Sequence, residues 1–552
     1  MRILAISVAH DSSVCLLNNG KIEFFCKEER LSRIKRDKNP IKSIALLKQL
    51  DLGVIDHALY VTPSNNEPQI ESIYGLMLQK LLGVSIENYS SLLHHKCHAS
   101  LAFYNSGFKK ALVFVVDRNG SIFFINGIEE AREAESVFVC TYPDGIKPVY
   151  KSFTIEAFKE GRKEFIHNVT NDFYKDIDVK VNCFGIVKAY EAATTLIGQH
   201  ALENGKTMGL ASYGSNQSYP PLFLNGEVIS NLFSEVELPT QRDQVCFYRE
   251  AGRIVNNVTK DNYQYYADKA KQVQLATQEE VLKLIKHYVD KTNINNVCLV
   301  GGYGLNVVAN YHYLKQLPNV NFYFEPVADD TGITIGAALL KHRELTQDKK
   351  PSPINNNFYH YYDSTEQISL GKNAEIEELC RLLIDQKSLA IFDGAPEVGP
   401  RALGHRSILY DPRNKNSKDQ INLVKNREWY RPFAGVILES EFSKYFDTAG
   451  LIKSECMTVS FDAYEHTKQL VPGIIHVDGT CRVQTVSSGF LFELLTKFYE
   501  LTECPMLLNT SFNLAGDPLV QTKKEAIDVL NKSCLDAVYF VDQSLLLNKE
   551  KR

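Results

Sequence analysis

Two histidines in the stretch HHKCHASLAF, His94 and His98, stand four residues apart. On a helix this spacing places both imidazoles on one face, where they can bind a single cation. Asp117 ends an apolar run at a turn, and Asp330 precedes the small-residue start of a predicted helix. An ionised carboxylate at the end of an apolar run needs a partner, and a metal ion would be one. Asp117 and Asp330 therefore join His94 and His98 in a predicted set of four metal ligands. Two imidazoles and two carboxylates favour Fe(II) or Mn(II), with Zn(II) as an alternative. The competing interpretation is a pair of ordinary surface histidines.

A second set of candidate residues lies in the last third of the chain, where basic side chains are dense. Its members stand in the motifs GPRALGHRS (Arg401, Arg406), VKNREWYRPF (Lys425, Arg427, Arg431) and HVDGTCRVQTV (Arg482), and LNTSFN adds Thr510, Ser511 and Asn513. Arginines flanked by apolar and small residues favour an anion pocket over solvated surface charge, because buried charges need partners. The hydroxyl and amide groups can hydrogen-bond phosphate or carbamoyl oxygens.

Glycine-rich turns form a third group. Gly301 and Gly302 open GGYGLN, which ends at Asn306. Such turns let a backbone approach a phosphate or a nucleotide closely, although glycine loops often do no more than turn the chain. We predict a nucleotide contact at this loop. The spacing does not match the Walker pattern, which excludes a P-loop.

The elements that must position these residues are strands and helices of an α/β fold. Apolar runs around Asn18-Asn19-Gly20 predict a β-meander, and ALVFVV and SIFFI predict a second hairpin across the turn at 117–120. The strand NVCLV runs into Gly301, and helical periodicity fills 272–290 and 332–345. The polar, Pro-broken stretch 346–357 predicts a linker between domains at 1–350 and 358–552.

Composition narrows the class of protein. The 552 residues carry a net charge of −5 with a pI near 6.3, so no global basic field recruits nucleic acid. No apolar run approaches the ~20 residues of a membrane helix. The first residues, MRILAISVAHDSS, indicate a strand and not a signal peptide, and the 12 cysteines include no CxxC pair. A cytoplasmic enzyme without a membrane partner is expected, and a homodimer is left open.

The motifs also resemble a known family, the O-carbamoyltransferases of the nodulation-factor, tobramycin and cephamycin type. The resemblance covers nearly the whole chain and rests on motifs in one order: HDSS, EERLSRIK, HHKCHASLAF, MGLASYG, GGYGLN, DDTGITIGAAL, GPRALGHRSIL, RPFAGVIL, HVDGTCRVQTV and NTSFNLAGDPLV. It implies an actin/sugar-kinase-like (ASKHA) N-terminal domain that holds the metal and a YrdC-like C-terminal domain. It also implies that carbamoyl phosphate and Mg-ATP form carbamoyl-adenylate, whose carbamoyl group passes to an acceptor hydroxyl while AMP leaves.

Site roles follow from the resemblance residue by residue. His10 matches the position suspected of activating the acceptor hydroxyl, and Lys35 matches a nucleotide-contacting lysine. The positions that match the carbamoyl-phosphate pocket are Lys425, Arg431, Arg482 and Ser511.

Several positions depart from the family pattern. The loop DGAPEVGPRALG keeps Glu397 but lacks the arginine that usually precedes it, and Arg118 stands where a small residue usually follows Asp117. The missing arginine before Glu397 implies that the C-terminal pocket differs in geometry from that of the family. A sugar kinase of the same N-terminal fold and a fused threonylcarbamoyl-type tRNA-modifying enzyme are the alternatives. The acceptor stays open among an aminoglycoside, a lipo-oligosaccharide, a nucleoside and a modified DNA base.

Overall fold

The computed structural model describes residues 1–61, 68–87, 93–125, 128–155, 167–168, 176–182, 185–224, 227–228, 258–347, 349–354, 360–363 and 365–549. The chain folds into two compact units. Unit 1 comprises Met1–Phe24 and Lys38–Asn355, and unit 2 comprises Phe25–Asp37 and Asn356–Arg552. The segment Phe25–Asp37, which the sequence places in the first domain, therefore packs with the second. Of the predicted linker, residues 348 and 355–357 lie outside the described residues.

The first sheet of unit 1 has the strand order β3-β2-β1-β4. Its strands are Arg2–Ser7 (β1), Ser13–Asn18 (β2), Lys21–Lys27 (β3) and His57–Val61 (β4). β1 is antiparallel to β2 and parallel to β4. Asn19 and Gly20, the two residues between β2 and β3, have φ values of 48° and 78°. Two central residues with positive φ are what a type I′ hairpin requires, so the predicted Asn-Gly turn is confirmed.

The second sheet repeats this plan on a larger scale, in the order β10-β8-β7-β5-β13-β14, and β6 pairs with both β7 and β9. Its strands are Lys110–Val116 (β5), Ile122–Ile125 (β6), Ile128–Thr141 (β7), Gly145–Ile155 (β8), His167–Asn168 (β9), Asp178–Asn182 (β10), Asn296–Val300 (β13) and Asn321–Phe324 (β14), and Phe223–Leu224 (β11) pairs separately with Glu227–Val228 (β12). β5 is antiparallel to β7 and parallel to β13.

The predicted hairpin between ALVFVV and SIFFI is wrong. β5 and β6 pair one after the other along the same long strand, β7. Between β5 and β6 the regular strand pairing is interrupted. Two backbone hydrogen bonds connect this interruption to β7: the Asp117 N–H donates to the Ala134 carbonyl at 3.1 Å, and the Gly120 N–H donates to the Glu133 carbonyl at 2.8 Å. Asp117 therefore lies in the interruption between β5 and β6 and not within a strand.

The first helix of the chain, Glu28–Ser32 (α1), belongs to unit 2. Those of unit 1 are Ile41–Leu50 (α2), Pro68–Leu82 (α3), His94–Ser106 (α4), Ile186–Leu196 (α5), Asn204–Ala211 (α6), Tyr263–Thr292 (α7), Val307–Gln316 (α8) and Ile333–Thr346 (α9), with short 3₁₀ turns at Gly302–Leu305 and Asp330–Gly332. The helices predicted at 272–290 and 332–345 correspond to α7 and α9.

Helices α4 and α9 pack unusually closely because of one glycine. A Cβ atom at Gly336 would lie 2.0 Å from the Cys97 carbonyl oxygen, so only glycine fits there. The Ser100 hydroxyl donates to the Gly336 carbonyl at 2.7 Å. The Ser13 hydroxyl, at the start of β2, is 2.8 Å from the Thr334 hydroxyl. These contacts fix the first turns of α4 and α9 relative to the first sheet.

Unit 2 is built on one ten-stranded sheet, in the order β15-β24-β23-β16-β17-β22-β18-β21-β20-β19. Its strands are Lys372–Asn373 (β15), Leu389–Phe392 (β16), Arg406–Tyr410 (β17), Ala434–Leu438 (β18), Phe446–Asp447 (β19), Ser460–Ala463 (β20), Thr480–Val486 (β21), Met506–Ser511 (β22), Ala537–Phe540 (β23) and Leu545–Asn548 (β24). Its further helices are Ile376–Ile384 (α10), Ser417–Lys425 (α11), Phe442–Tyr445 (α12), Glu465–Leu470 (α13), Gly489–Thr502 (α14) and Lys523–Lys532 (α15). Across the parts of the chain that are described, no helix has both the length and the apolar character needed to cross a bilayer.

Candidate functional site

Unit 1 brings the four predicted metal ligands together. The His94 Nε2 atom lies 3.2 Å from Asp117 Oδ2 and 3.4 Å from Asp330 Oδ1, and the His98 Nε2 atom lies 3.4 Å from the same Asp330 oxygen. One ligand atom from each residue lies within 4.8 Å of the other three, and all four residues are buried. Residues from α4, the end of β5 and the turn before α9 thus converge on one centre.

Backbone contacts from neighbouring segments hold two of these residues in place. The His94 N–H, at the start of α4, donates to the Ser121 hydroxyl at 3.0 Å. The Gly302 N–H donates to Asp117 Oδ1 at 2.9 Å. Gly301 has a φ of 88°, and a Cβ there would lie 2.5 Å from the Val116 carbonyl oxygen. The predicted glycine turn therefore lies directly beside the cluster, where only glycine fits.

The charges of the cluster are strongly interdependent. Burial works against ionisation at Asp117, yet the neighbouring histidines lower its pKa to about 2. The pKa of Asp330 is also well below its usual range, because His94 and His10 outweigh the cost of burial. Burial opposes protonation of His94, but Asp330 and Asp117 raise its pKa to about 10. The cluster thus requires positive charge between its two carboxylates.

The donor set fits a divalent metal. The Nε2 atoms of His94 and His98 lie 3.1 Å apart and face the same two carboxylates, an arrangement in which both can act as ligands. Their Nδ1 atoms are buried and have no hydrogen-bond partner among the described residues. Two nitrogen and two oxygen donors in a buried site suit a first-row transition metal better than Mg²⁺ alone.

His10 lies at the edge of this cluster, in the loop between β1 and β2. Its Nε2 atom is 3.5 Å from Asp330 Oδ2, and its Nδ1 atom is 3.2 Å from Asp11 Oδ2. Its side chain is 29% exposed, whereas His94 and His98 are fully buried. Burial lowers its pKa, but the hydrogen bond with Asp11 and the charge of Asp330 together raise it. Asp11 stands in the HDSS motif, and its role as the partner of His10 is a feature that sequence reasoning missed.

The side chain of Asn306, which the sequence predicts to contact a nucleotide, is hydrogen-bonded to other residues of the protein. Its side chain caps α8 by accepting the Ala309 N–H at 3.1 Å, and it donates to Gln274 Oε1 at 3.0 Å. The residue is buried. These contacts assign Asn306 to holding the end of the glycine turn, and its contact with a nucleotide stays a prediction.

Unit 2 gathers several of the predicted basic residues around Lys425, which is buried at the end of α11. The Lys425 ammonium donates to the Ser511 carbonyl and hydroxyl, and to the carbonyl and Oδ1 of Asn513 at 2.5 and 2.7 Å. The Ser511 hydroxyl in turn donates to Asn513 Oδ1 at 2.7 Å. The end of β22 and the loop after it therefore hold this ammonium through carbonyl, hydroxyl and amide oxygens.

The surroundings of Lys425 are strongly cationic. Burial and the charges of Arg427, Arg431 and Lys35 hold the pKa of Lys425 well below its usual range. Burial and neighbouring arginines likewise lower the pKa of Arg427, and burial lowers that of Arg482 to about 10. Asp517 and Glu428 oppose these shifts without cancelling them. A site with these properties favours an anion, because the anion would offset the repulsion among the cations. We call these five residues, Lys35, Lys425, Arg427, Arg431 and Arg482, the cationic cluster.

The remaining predicted residues of unit 2 are placed differently. Arg406 is fully buried, and its guanidinium donates to the carbonyls of Asp393, His405 and Gly394 at 2.8–3.0 Å. It also stacks on the Phe392 ring. These contacts give Arg406 a structural role and leave its predicted contact with phosphate unsupported. Arg401 lies half-buried before β17, and Thr510 lies on β22, paired with Ile408.

The chain is thus a two-unit α/β protein with a buried cluster of histidines and aspartates in unit 1 and the cationic cluster in unit 2. Residues 56–339 match the family model "Carbamoyltransferase N-terminus", and residues 380–548 match "Carbamoyltransferase C-terminus". The chain belongs to the carbamoyltransferase family and is a carbamoyltransferase.

Two curated relatives of the chain are nodulation proteins. Nodulation protein NolNO of Sinorhizobium fredii is 28% identical over 96% of this chain and 78% of its own length. Nodulation protein U of Azorhizobium caulinodans is 32% identical over 43% of each chain. Among solved structures, full-length HypF in the phosphate- and nucleotide-bound form is 14% identical, with a match that covers 62% of this chain and 46% of that chain at a TM-score of 0.36.

Proposed function

We propose that this enzyme makes carbamoyl-adenylate from carbamoyl phosphate and ATP in unit 2 and transfers the carbamoyl group to an acceptor hydroxyl in unit 1. Water would attack the phosphorus of carbamoyl phosphate and break its bond to the carbamoyl oxygen, which gives carbamate and inorganic phosphate. A carbamate oxygen would then attack the α-phosphorus of ATP and expel pyrophosphate. In the second step the acceptor oxygen attacks the carbamoyl carbon, its proton passes to a base, and AMP leaves.

The cationic cluster is the observation that carries this proposal. A kinase would need only one nucleotide site, whereas unit 2 concentrates buried cations around Lys425, whose pKa they lower. Lys425 and Arg431 would neutralise the phosphate of carbamoyl phosphate, and Arg482 and Ser511 would orient it. Lys35, whose charge also acts on Lys425, would contact the nucleotide.

In unit 1 the proposed roles follow from the site described above. His10 would accept the proton of the acceptor hydroxyl, because it is the partly exposed imidazole next to the buried cluster. His94, His98, Asp117 and Asp330 would hold Fe(II), Mn(II) or Zn(II), which when bound supplies positive charge beside the phosphate of the adenylate. The backbone at Gly301 and Gly302 would lie along that phosphate.

The proposed folds are an actin/sugar-kinase-like unit 1 and a YrdC-like unit 2. The repeated plan in unit 1 supports the first. In the first sheet β1 pairs antiparallel with β2 and parallel with β4. In the second sheet β5 pairs in the same way, antiparallel with β7 and parallel with β13. Duplicated halves of this kind are expected of that fold.

The nucleotide product tests the function without knowledge of the acceptor. The enzyme is incubated with ATP, with and without carbamoyl phosphate, and nucleotides are separated by anion-exchange chromatography. We expect AMP and pyrophosphate only when carbamoyl phosphate is present. ADP as the main product would favour a sugar kinase, and AMP formation that requires threonine and bicarbonate would favour the threonylcarbamoyl alternative. Mass spectrometry of candidate alcohols, including modified nucleosides, would then identify the acceptor.

A further inference from the structure

The segment Phe25–Asp37 is an integral part of unit 2. The Tyr361 N–H donates to the Phe25 carbonyl at 2.8 Å, and the Lys27 N–H donates to His360 Nδ1 at 3.2 Å. The segment then forms α1. In its last turn the Arg33 N–H donates a hydrogen bond to the Glu29 carbonyl at 3.0 Å. Arg33 has a φ of 62°, which turns the chain sharply at the end of the helix.

The side chain of Arg33 binds one end of a particular loop. Its Nη1 and Nη2 atoms donate to the carbonyls of Leu519 and Pro518 at 2.7 and 3.0 Å. The Nη1 atom also lies 3.2 Å from Glu525 Oε2. Glu525 closes the capping box of α15 with Thr522, so Arg33 joins the loop to the start of that helix.

The same loop holds Lys425 at its other end. The Val520 N–H donates to the Phe512 carbonyl at 3.1 Å, and the Asn513 amide donates to the Asp517 carbonyl at 2.7 Å. These bonds close residues 512–520 into a compact loop, which we call the clamp loop. Two oxygens of Asn513 accept from the Lys425 ammonium. A displacement of Pro518 therefore acts on the oxygens that orient Lys425.

We propose that Arg33 is a positioning residue of the anion site: it fixes the clamp loop so that Asn513 and Ser511 hold the Lys425 ammonium toward the bound anion. This inference rests on the proposed function, in which that anion is carbamoyl phosphate. Arg33 touches no reacting atom. A guanidinium suits the task because its planar fork can bind two carbonyls and a carboxylate at once, which a single ammonium does less well.

The test compares the full-length wild type with Arg33→Ala, Arg33→Lys and a control, Arg381→Ala, whose side chain is 72% exposed on α10 of the same unit. Trp429 is the only tryptophan in the sequence and stands between Arg427 and Arg431, so its fluorescence reports anion binding. Each protein is titrated with fresh carbamoyl phosphate and with inorganic phosphate. Amide hydrogen exchange of residues 512–520 is followed by mass spectrometry, and melting curves check folding.

We expect Arg33→Ala to exchange faster in the clamp loop and to bind carbamoyl phosphate about 10–100-fold more weakly, as for a small misplacement of a binding group. Arg33→Lys should show the same two effects to a smaller extent, and it serves as the test if Arg33→Ala does not fold. Arg381→Ala should match the wild type. Faster exchange with unchanged affinity, or weaker binding with unchanged exchange, would overturn the positioning role. A wild type that binds neither anion would instead refute the proposed function, and this inference with it.

Discussion

Replacing His10 by asparagine separates the two proposed chemical steps. In the proposed scheme His10 accepts the proton of the acceptor hydroxyl in unit 1 and has no task in unit 2. The variant should therefore release pyrophosphate from ATP, in the presence of carbamoyl phosphate, at the wild-type rate. Transfer to an alcohol that the wild type carbamoylates should fall 10²–10⁴-fold, which is the usual contribution of a general base.

The size of this effect distinguishes it from structural damage. His10 makes two side-chain contacts, at 3.2 Å with Asp11 and at 3.5 Å with Asp330, and is partly exposed. Ion pairs of this kind contribute about 0.2–1 kcal/mol to the free energy of unfolding. The expected loss of rate corresponds to about 2.7–5.4 kcal/mol in activation free energy. The kinetic effect should therefore exceed the effect on stability several-fold.

A matched control is available in the same unit. His57 on β4 is 27% exposed and also contacts a carboxylate, that of Glu87. His57→Asn should keep both half-reactions. The assay measures pyrophosphate release by a coupled enzyme and carbamoylated product by mass spectrometry, with melting temperature beside them. A His10→Asn protein that melts normally and still carbamoylates at nearly the wild-type rate would refute the catalytic role.

Three further predictions concern the metal cluster, the cationic cluster and a buried acid. Asp330→Asn should bind at least ten times less metal by elemental analysis than Asp329→Asn, whose side chain caps the adjacent turn; equal contents would contradict the ligand assignment. Lys425→Ala should lose carbamoyl-adenylate formation but regain transfer when carbamoyl-adenylate is supplied, and failure of both would place Lys425 elsewhere. Burial raises the pKa of Glu325 from 4.5 to about 7, so the folded protein retains a proton that the unfolded chain releases. Stability should fall as pH rises from about 4.5 to 7, and urea unfolding should show this loss, up to about 3 kcal/mol, in the wild type and not in Glu325→Gln.

Local spacing explains why the metal cluster could be predicted from the sequence. The four-residue separation of His94 and His98 requires only a helix, which the structure has as α4. Asp117 could be singled out because it ends an apolar run at a turn, and Asp330 because it precedes the small-residue start of a predicted helix. The contact of Ser121 with the start of α4 could not be predicted, because it depends on an interruption between β5 and β6.

The anion site illustrates what sequence patterns do not contain. The sequence predicts that Arg401, Arg406 and Lys425 belong to one anion pocket. The structure nevertheless directs the guanidinium of Arg406 onto carbonyl groups and the ammonium of Lys425 into a cationic cluster. Likewise, residues 25–37 are rich in charged side chains, and nothing in their sequence indicates that they pack with unit 2. Only long-range packing decides these points.

The excursion of Phe25–Asp37 into unit 2 has a consequence for synthesis of the chain. The 318 residues of Lys38–Asn355 separate this segment from the rest of unit 2. At about 5–20 residues per second, the ribosome needs roughly 16–64 s to make them. During that time Arg33 has been made but the loop that it binds has not, while most of unit 1 can already fold. The first segment of unit 2 is thus made before most of unit 1, and unit 2 can be completed only after the residues that follow Asn355 have been made.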